Sequence, residues 1–329
     1  MRRPVELGLA AVVVAVTEEQ PRVLVVREPA SGEAALPTGA LEAGRDRTLE
    51  LALRGLVRDR AGLELGYVEQ LYTFGNRFRD PGERAGGARL VSVTYLALVR
   101  EAPLGAATDA AWRAWYEFLP WEDWRAGRPP ALDRTIAPAL ARWAAPRTGP
   151  VPARVRRERA EICFGLGGAP WDGERVLDRY ELLFEAGLVG EAWRTGGGGG
   201  GTSAEETVSA TSDPGLRLGS AMALDHRRVL ASALGRLRGK LRYRPVVFEL
   251  LPRTFTLLAL QRTVEALAGR RLHKQNFRRL VEAGGLVEGT GRRTTGTGGR
   301  PAELFRFRRE VLRERPAPGV GLPGLGTHG

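Results

Sequence analysis

The chain of 329 residues, 43% of them hydrophobic and 27% charged, is long enough for two domains with separate cores. A single cysteine, Cys163, and three histidines exclude an intrachain disulfide framework and the usual zinc sites. The net charge of +12 arises in the last third, where residues 221–315 carry 22 Lys and Arg against 8 Asp and Glu. This asymmetry predicts a polyanion partner for the C-terminal part and a different role for the rest.

The first predicted elements are strands. An apolar run from Leu7 to Val16 follows two arginines, as in a signal peptide, but it has no clear cleavage site and a second apolar run comes directly after it. We therefore expect two paired, buried strands, Leu9–Val16 and Val23–Val26, and no membrane-spanning segment. With its single cysteine, the chain is expected to be cytoplasmic.

The N-terminal 148 residues are predicted to form one mixed α/β unit. Apolar residues recur at helical spacing from Leu49 to Val57, and Gly62 is expected to end that helix. Tyr72–Phe74 and Leu90–Val99 are rich in β-branched and aromatic residues, as strands are. Residues 1–148 are therefore predicted to be a domain.

The next two segments differ in composition. Residues 149–195 show a helical pattern interrupted by the glycine-rich stretch Gly165–Gly168, which lacks the Lys-Ser/Thr of a phosphate-binding loop and predicts a helix break. Residues 196–218 are rich in Gly, Ser and Thr, a composition typical of a flexible linker. We expect a helical connector followed by a linker.

Residues 219–315 are predicted to form the last domain, followed by a disordered tail, 316–329. An apolar stripe from Leu224 to Leu241 predicts a first helix, and Val246–Phe248 favours a strand. Thr256 is a suitable N-cap for a further helix, which should stop at a glycine, Gly269.

A second short helix is expected from His273 to the glycines at 284–285, and it is followed by two antiparallel strands, Leu286–Glu288 and Leu304–Phe307. The loop between these strands, Gly289–Pro301, is rich in Gly, Arg and Thr. Helix, short turn, second helix and basic hairpin is the order of a winged helix-turn-helix.

The second helix of such a module normally lies in the major groove of DNA. Asn and Gln can bond adenine there, Arg and Lys can bond guanine, and a glycine-rich wing can approach phosphates closely. A solvated helix face is the alternative interpretation, but the basic wing favours double-stranded DNA. The predicted DNA contacts are His273, Lys274, Gln275, Asn276, Arg278 and Arg279 in the helix and Arg292, Arg293 and Arg300 in the wing.

The strands, the turn Leu36-Pro37-Thr38-Gly39 and the following helix resemble the Nudix fold. The Nudix signature ends in Arg-Glu-x-x-Glu-Glu-x-Gly, whose glutamates hold magnesium on a diphosphate. Aligned on the final glycine, the three glutamate positions are occupied by Leu56, Asp59 and Arg60. A hard divalent cation needs oxygen ligands, and one aspartate cannot replace three carboxylates. We expect no catalytic residues, no metal site and no enzymatic activity.

Two stretches resemble Nudix-related transcriptional regulators of NAD metabolism, the NrtR and NadQ type. They are the strands from Leu71-Tyr72-Thr73-Phe74-Gly75 to Val99 and the segment from Phe255-Thr256-Leu257 to Leu304-Phe305-Arg306-Phe307. The resemblance covers roughly residues 5–148 and 220–310. It implies an α+β protein in which a Nudix-like α/β/α sandwich is followed by a helical connector and a winged helix-turn-helix domain.

The resemblance also implies a function. Such a protein would be a homodimeric repressor of NAD biosynthesis or salvage genes, binding a palindromic DNA operator and requiring no cofactor. Its Nudix-like domain would sense an adenine nucleotide effector, namely ADP-ribose, NAD or ATP.

In a domain without acidic metal ligands, arginines would meet a pyrophosphate and an aromatic ring would stack on adenine. The candidate residues are Arg54, Arg77, Arg79 and Arg89 for the phosphates and Phe74 and Tyr95 for the adenine. Each is equally compatible with an ordinary surface or core position.

Two other functions stay open at this point. One is an active Nudix-type diphosphate hydrolase with an accessory nucleic-acid-binding domain, in which Glu42, Glu50 and Asp59 surround magnesium. The other is an RNA-binding or architectural protein that contacts only the nucleic-acid backbone.

Overall fold

The computed structural model describes residues 4–77, 79–105, 109–146, 150–194, 218–294 and 301–320. The strands are β1 (Val5–Thr17), β2 (Gln20–Arg27), β3 (Ala34–Ala35), β4 (Thr38–Ala40), β5 (Tyr67–Phe74), β6 (Arg89–Leu98), β7 (Ala111–Ala114), β8 (Val287–Arg293) and β9 (Glu303–Phe307). The α-helices are α1 (Leu49–Ala61), α2 (Pro81–Arg84), α3 (Trp115–Phe118), α4 (Ala137–Trp143), α5 (Ala153–Phe164), α6 (Val176–Glu185), α7 (Gly190–Arg194), α8 (His226–Tyr243), α9 (Leu257–Ala268), α10 (Lys274–Ala283) and α11 (Val311–Glu314). Short 3-10 helices lie at Pro120–Glu122 and Val246–Leu250, and a π-helical turn lies at Leu132–Ile136.

The N-terminal unit is built on a sheet with β1 at its centre. The strand order is β3-β2-β1-β6-β5, with β4 added to β1 and β7 to β2. β1 and β6 are parallel, whereas β1 and β2 form the predicted antiparallel pair, with Thr17 opposite Gln20. The two residues between them, Glu18 and Glu19, have φ of 51° and 62°. A two-residue hairpin turn needs this left-handed backbone to follow the twist of the strands.

Helices cover both faces of this sheet. On one face, Leu53 and Val57 of α1 pack with the side chains of β1 that point the same way. Thr48 caps α1 by accepting the Leu51 N–H at 3.2 Å, and Gly62 ends it with φ of 70°, as predicted. The opposite face packs into a larger cluster that includes α6 and α8. The predicted α+β architecture with an α/β/α sandwich is thus confirmed.

α8 packs against both the N-terminal and the C-terminal parts of the chain. Its apolar side chains lie in one hydrophobic cluster with Val12 of the sheet and Phe277 of the C-terminal part. The helix contacts α6, β5 and β1 as well as α9. The expectation of separate cores, with a boundary at residue 219, is therefore corrected, because the apolar side chains of α8 pack against elements of both parts of the chain.

Two local predictions at the C-terminal end are also corrected. Val246–Phe248 favours a strand by its β-branched residues, but Val246 and Val247 lie in a 3-10 helix and are buried against the core. Prolines at 245 and 252 confine this short segment. The tail was predicted to be disordered from residue 316, yet Val320 is buried and its N–H donates to the Leu241 carbonyl at 2.9 Å. Of the predicted linker, residues 196–217 lie outside the described residues, whereas Leu218 is buried.

His226, the first residue of α8, is fully buried, and its Nδ1 accepts the N–H of Leu36 at 3.1 Å. Burial lowers the pKa of His226 to about 4, against opposing attraction from Asp225 and Glu28, and nearby Arg79 lowers it further. Between about pH 4 and pH 6.5 the imidazole is therefore neutral in the folded protein, whereas it is protonated in the unfolded chain, in which its pKa is 6.5.

Acid is consequently expected to destabilise the protein through His226. Its contribution to stability is present above pH 6.5 and is lost as the pH falls from about 6.5 towards 4. Between pH 7 and pH 5 the free energy of unfolding should fall by about 2 kcal/mol more in the wild type than in His226→Gln, which accepts the same hydrogen bond without titrating. Urea unfolding at both pH values measures this difference. An equal pH dependence in the two proteins would show that His226 is not kept neutral by the fold.

Candidate nucleic-acid interface and ligand site

The turn between α9 and α10 is held by two side chains of α9. Gln261 donates to the Leu272 carbonyl at 2.9 Å, and the Glu265 carboxylate accepts the Leu272 N–H at 2.9 Å. Burial alone would raise the pKa of Glu265, but hydrogen bonds from Arg271, Leu272 and Gln261 outweigh it and lower that pKa. Both backbone polar groups of Leu272 are thus fixed, which sets where α10 begins.

α10 divides into the two faces that its sequence predicts. Phe277 and Val281 are buried, and Leu280 is half-buried beside them. The predicted contact residues are all exposed, and none of their side chains is hydrogen-bonded or ion-paired within the part of the chain that the structure describes. They are His273, which precedes the helix, and Lys274, Gln275, Asn276, Arg278 and Arg279. The amide and cationic groups are therefore available to an external partner.

The wing is the antiparallel pair of β8 and β9, in which Val287 lies opposite Phe307. Phe255, the residue before the N-cap of α9, forms a β-bridge with Phe305 of the wing. The two residues exchange N–H to carbonyl hydrogen bonds of 2.9 and 2.8 Å, which connect the wing to the start of α9. Arg292 and Arg293, predicted to lie in the loop, are exposed at the far end of β8, which extends to Arg293. Arg300, also predicted to contact DNA, lies outside the described residues.

Many of the basic residues in the last third of the chain form ion pairs within the protein. Acidic side chains of the N-terminal unit and of the connector pair with basic residues of α8 and of the helix-turn-helix. These pairs are Arg227–Glu191, Arg228–Glu181, Arg238–Glu122, Lys240–Glu69, Arg242–Glu174, Arg262–Glu19 and Arg271–Glu19. The charge available to a polyanion is therefore smaller than the sequence count suggests, and the exposed cations of α10 and β8 are part of it.

On the other side of the molecule, α1 lies where the Nudix helix is expected. Leu56 packs towards Gly39, since a Cβ built on that glycine would lie 2.9 Å from the Leu56 Cδ1. Glu50 pairs with Arg54 at 2.8 Å, and Asp59 lies beside Arg58 at 3.7 Å. Within the described residues, no three His, Cys, Asp or Glu side chains are grouped so that they could hold a metal ion.

Of the predicted phosphate ligands, Arg79 and Arg54 are engaged by the protein itself. Arg79 forms a two-pronged ion pair with Asp225, at 2.6 and 3.0 Å, and only 6% of its side chain is exposed. Arg54 donates to the Leu65 and Gly66 carbonyls as well as to Glu50. Arg79 therefore connects the N-terminal unit to the start of α8, and Arg54 connects α1 to neighbouring backbone.

The remaining predicted ligand residues do not converge on one site. Phe74 is buried in the cluster that contains α8, with the Arg79 and Arg228 guanidinium groups near its ring. Tyr95 is buried in the cluster of α1, on the other face of the sheet. The expectation that Phe74 stacks on adenine is corrected, because its ring has no free face. Arg77 and Arg89 are exposed, and Arg89 donates to the Gly75 carbonyl at 2.6 Å.

Sequence reasoning missed the acidic partners of these basic residues. In the sequence, only their charge distinguishes Glu19, Glu265 and Asp225. The residues at 18–19, which include no glycine, lie between two apolar runs and so indicate a hairpin turn. The helix at 226–243 also buries polar side chains, those of Arg227 and Arg238. Its polar residues therefore need buried partners, and only the fold shows which residues these are.

The C-terminal part matches a known family. Residues 247–307 match the family described as the NrtR DNA-binding winged helix domain. Over 86 residues the chain is 41% identical to the ADPR responsive transcriptional repressor NtrR of Acinetobacter baylyi. That stretch covers 26% of this chain and 34% of the repressor, so the chain aligns with about a third of the length of this curated relative.

Solved structures are similar over nearly the whole chain. Shewanella oneidensis NrtR, complexed with a 27mer DNA, has a TM-score of 0.56 at 20% identity, covering 93% of this chain and 95% of the other. A MutT/nudix family protein from Enterococcus faecalis has a TM-score of 0.50 at 15% identity, covering 94% and 88%.

The fold and the site define a class of protein, a Nudix-related sandwich joined to a winged helix DNA-binding domain. Residues 247–307 match the winged helix domain of the NrtR type, and the resemblance of the chain to NrtR-type, Nudix-related regulators is confirmed. Among the described residues no helix is both long and apolar enough to cross a membrane.

Proposed function

We propose that this protein is a transcriptional repressor that binds an operator through α10 and the wing and responds to ADP-ribose. The observation that carries the proposal is the exposed face of α10, where two amide and three cationic side chains have no partner among the described residues. Amides read adenine and arginines read guanine in the major groove. The 41% identity to an ADPR responsive repressor supports ADP-ribose as the effector, before NAD or ATP.

The repressor acts as a cytoplasmic homodimer at genes of NAD biosynthesis or salvage. Two winged helices related by a twofold axis read the two halves of a palindromic operator. ADP-ribose regulates the complex only if it binds one arrangement of the two winged helix domains more tightly than another.

The Nudix-like domain binds its ligand without hydrolysing it and needs no cofactor. Glu50 and Asp59 are nine residues apart on α1, which places them on opposite sides of the helix and about 13 Å apart along its axis. They cannot share one magnesium ion, and Glu42 lies before the helix beside Arg45. Of the candidate phosphate ligands, Arg77 and Arg89 are exposed. Magnesium-dependent turnover of ADP-ribose would contradict this part of the proposal.

Gln275→Ala is expected to weaken binding to the operator by about 1–3 kcal/mol while leaving binding to unrelated DNA unchanged. The amide is exposed on α10 and supports no packing, so its loss removes base contacts only. A palindromic duplex selected from a randomised library serves as the operator in a mobility shift with excess nonspecific DNA. ADP-ribose, NAD and ATP are titrated into the complex.

Gln70→Ala is the matched control, since it removes an exposed amide from β5 of the sensor sheet. A sequence-specific regulator should keep a preference of about a thousandfold or more for its site. Equal displacement of the protein by DNA of any sequence would favour the backbone-binding alternative and overturn the proposal.

A further inference from the structure

The tip of the β1–β2 hairpin touches the helix-turn-helix. Glu19 lies in this two-residue turn, and its carboxylate pairs with Arg271 at 3.1 Å and with Arg262 at 3.3 Å. Arg262 belongs to α9, and Arg271 lies in the turn that precedes α10. One side chain of the sensor sheet thus reaches both parts of the helix-turn-helix that fix the start of α10.

The same two arginines also hold the buried carboxylate that organises the turn. Arg271 donates to Glu265 at 2.9 Å and Arg262 at 3.2 Å, while Glu265 accepts the Leu272 N–H. The side chain of Glu265 is only 2% exposed. A continuous series of charge-assisted hydrogen bonds therefore runs from the hairpin tip to the peptide before α10.

A second connection runs through the backbone beside the first. Arg125 donates to the carbonyl of Glu19 and, at 3.1 Å, to the side chain of Gln20, and Asp123 fixes its guanidinium at 2.8 Å. The neighbouring Trp124 N–H donates to the Gly269 carbonyl, the C-cap of α9, at 2.7 Å. The hairpin tip and the helix-turn-helix are therefore held to the same short segment, residues 123–125.

We propose that Glu19 is a positioning residue for α10, which sets the direction in which the sensor sheet presents the recognition helix. The inference rests on the proposed function insofar as α10 reads DNA. β1 and β2 are neighbouring strands of the sheet, and a displacement of the turn between them would move Arg271. Arg271 lies two residues before His273, which is the N-cap of α10. Such a contact gives the two units a shared arrangement that an effector can favour or disfavour.

The role is one of orientation, since the stability gained is small. About 42% of the Glu19 side chain and 47% of the Arg271 side chain are exposed. Pairs this exposed contribute little to folding. Removing the Glu19 charge should therefore leave the protein folded while loosening the turn.

Glu19→Gln and Glu18→Gln form the test pair, measured in the full chain. Glu18 shares the turn and its left-handed backbone, but its side chain is exposed and makes no hydrogen bond or ion pair among the described residues. In hydrogen–deuterium exchange, Glu19→Gln should speed exchange of the amides at 269–276 about threefold, with Glu18→Gln equal to wild type.

Operator binding supplies the second measurement. Glu19→Gln should weaken binding to the selected palindromic duplex about threefold at unchanged affinity for unrelated DNA, whereas Glu18→Gln should bind both as wild type does. Equal behaviour of the two variants in exchange and in binding overturns the inference. If the wild type forms no specific complex, the proposed function fails, and the exchange measurement still decides whether Glu19 holds the turn.

Discussion

Glu122→Gln is expected to lower the free energy of unfolding by about 3–5 kcal/mol. The Glu122 carboxylate is 1% exposed and lies between two buried guanidinium groups, Arg179 at 2.6 Å and Arg238 at 2.5 Å. Burial alone would raise the pKa of Glu122, but the two arginines outweigh it and lower that pKa, so the carboxylate is charged. Its replacement leaves two buried cations without a counter-ion.

The matched control is Asp133→Asn, which breaks an ion pair with Arg128 at 3.1 Å in a nearby part of the chain. The Asp133 side chain is 64% exposed, so its loss should cost about 0–1 kcal/mol. Urea unfolding of both variants at pH 7 measures the two losses. A loss for Glu122→Gln as small as that of the control would mean that water reaches the two guanidinium groups.

Gly269→Ala is expected to destabilise the protein by about 3–5 kcal/mol, the sum of backbone strain and crowding. Gly269 ends α9 with φ of 70°, a conformation that L residues with a side chain rarely adopt. A Cβ at this position would overlap the carbonyl oxygen of Glu122 and lie 2.6 Å from a nitrogen of Arg238. Neither atom can move easily, because both belong to the buried network around Glu122.

Gly62→Ala separates these two contributions. Gly62 ends α1 with the same φ of 70° and ψ of 19°, but a Cβ there would have its nearest neighbour, the Gly105 nitrogen, at 3.2 Å. We expect a loss of about 1–2 kcal/mol, due mainly to the backbone. Thermal and urea unfolding of the two alanine variants measure the difference. Similar losses would assign the whole effect to the backbone conformation and none to the contact with Glu122.

The elements with a local physical signal were predictable from the sequence. The cap Thr256 and the terminal glycines at 62 and 269 were predicted correctly, and the 3.6-residue period separated the faces of α10. The β-branched run at 246–248 was misleading, because burial against the core decides the backbone of such a short segment.

The partners of charged residues were not predictable, because they are distant in sequence. Arg79 meets Asp225 across 146 positions, and Arg271 meets Glu19 across 252. A local pattern shows that an arginine is present, but not whether a protein carboxylate already occupies it. For this reason Arg79 was assigned to a phosphate and Phe74 to an adenine, whereas both lie in the contact between the sheet and α8.

The burial of α8 between the sheet and α9 makes unfolding a shared event. One hydrophobic cluster includes side chains from Val12 to Val311, so the N-terminal unit cannot melt without exposing the residues that support α10. The free energy of any ligand bound to the sensor is therefore added to the stability of both units. A ligand that binds the N-terminal unit is therefore expected to protect the C-terminal domain from thermal unfolding and from proteolysis of the unfolded state, even where it leaves the exposed face of α10 unchanged.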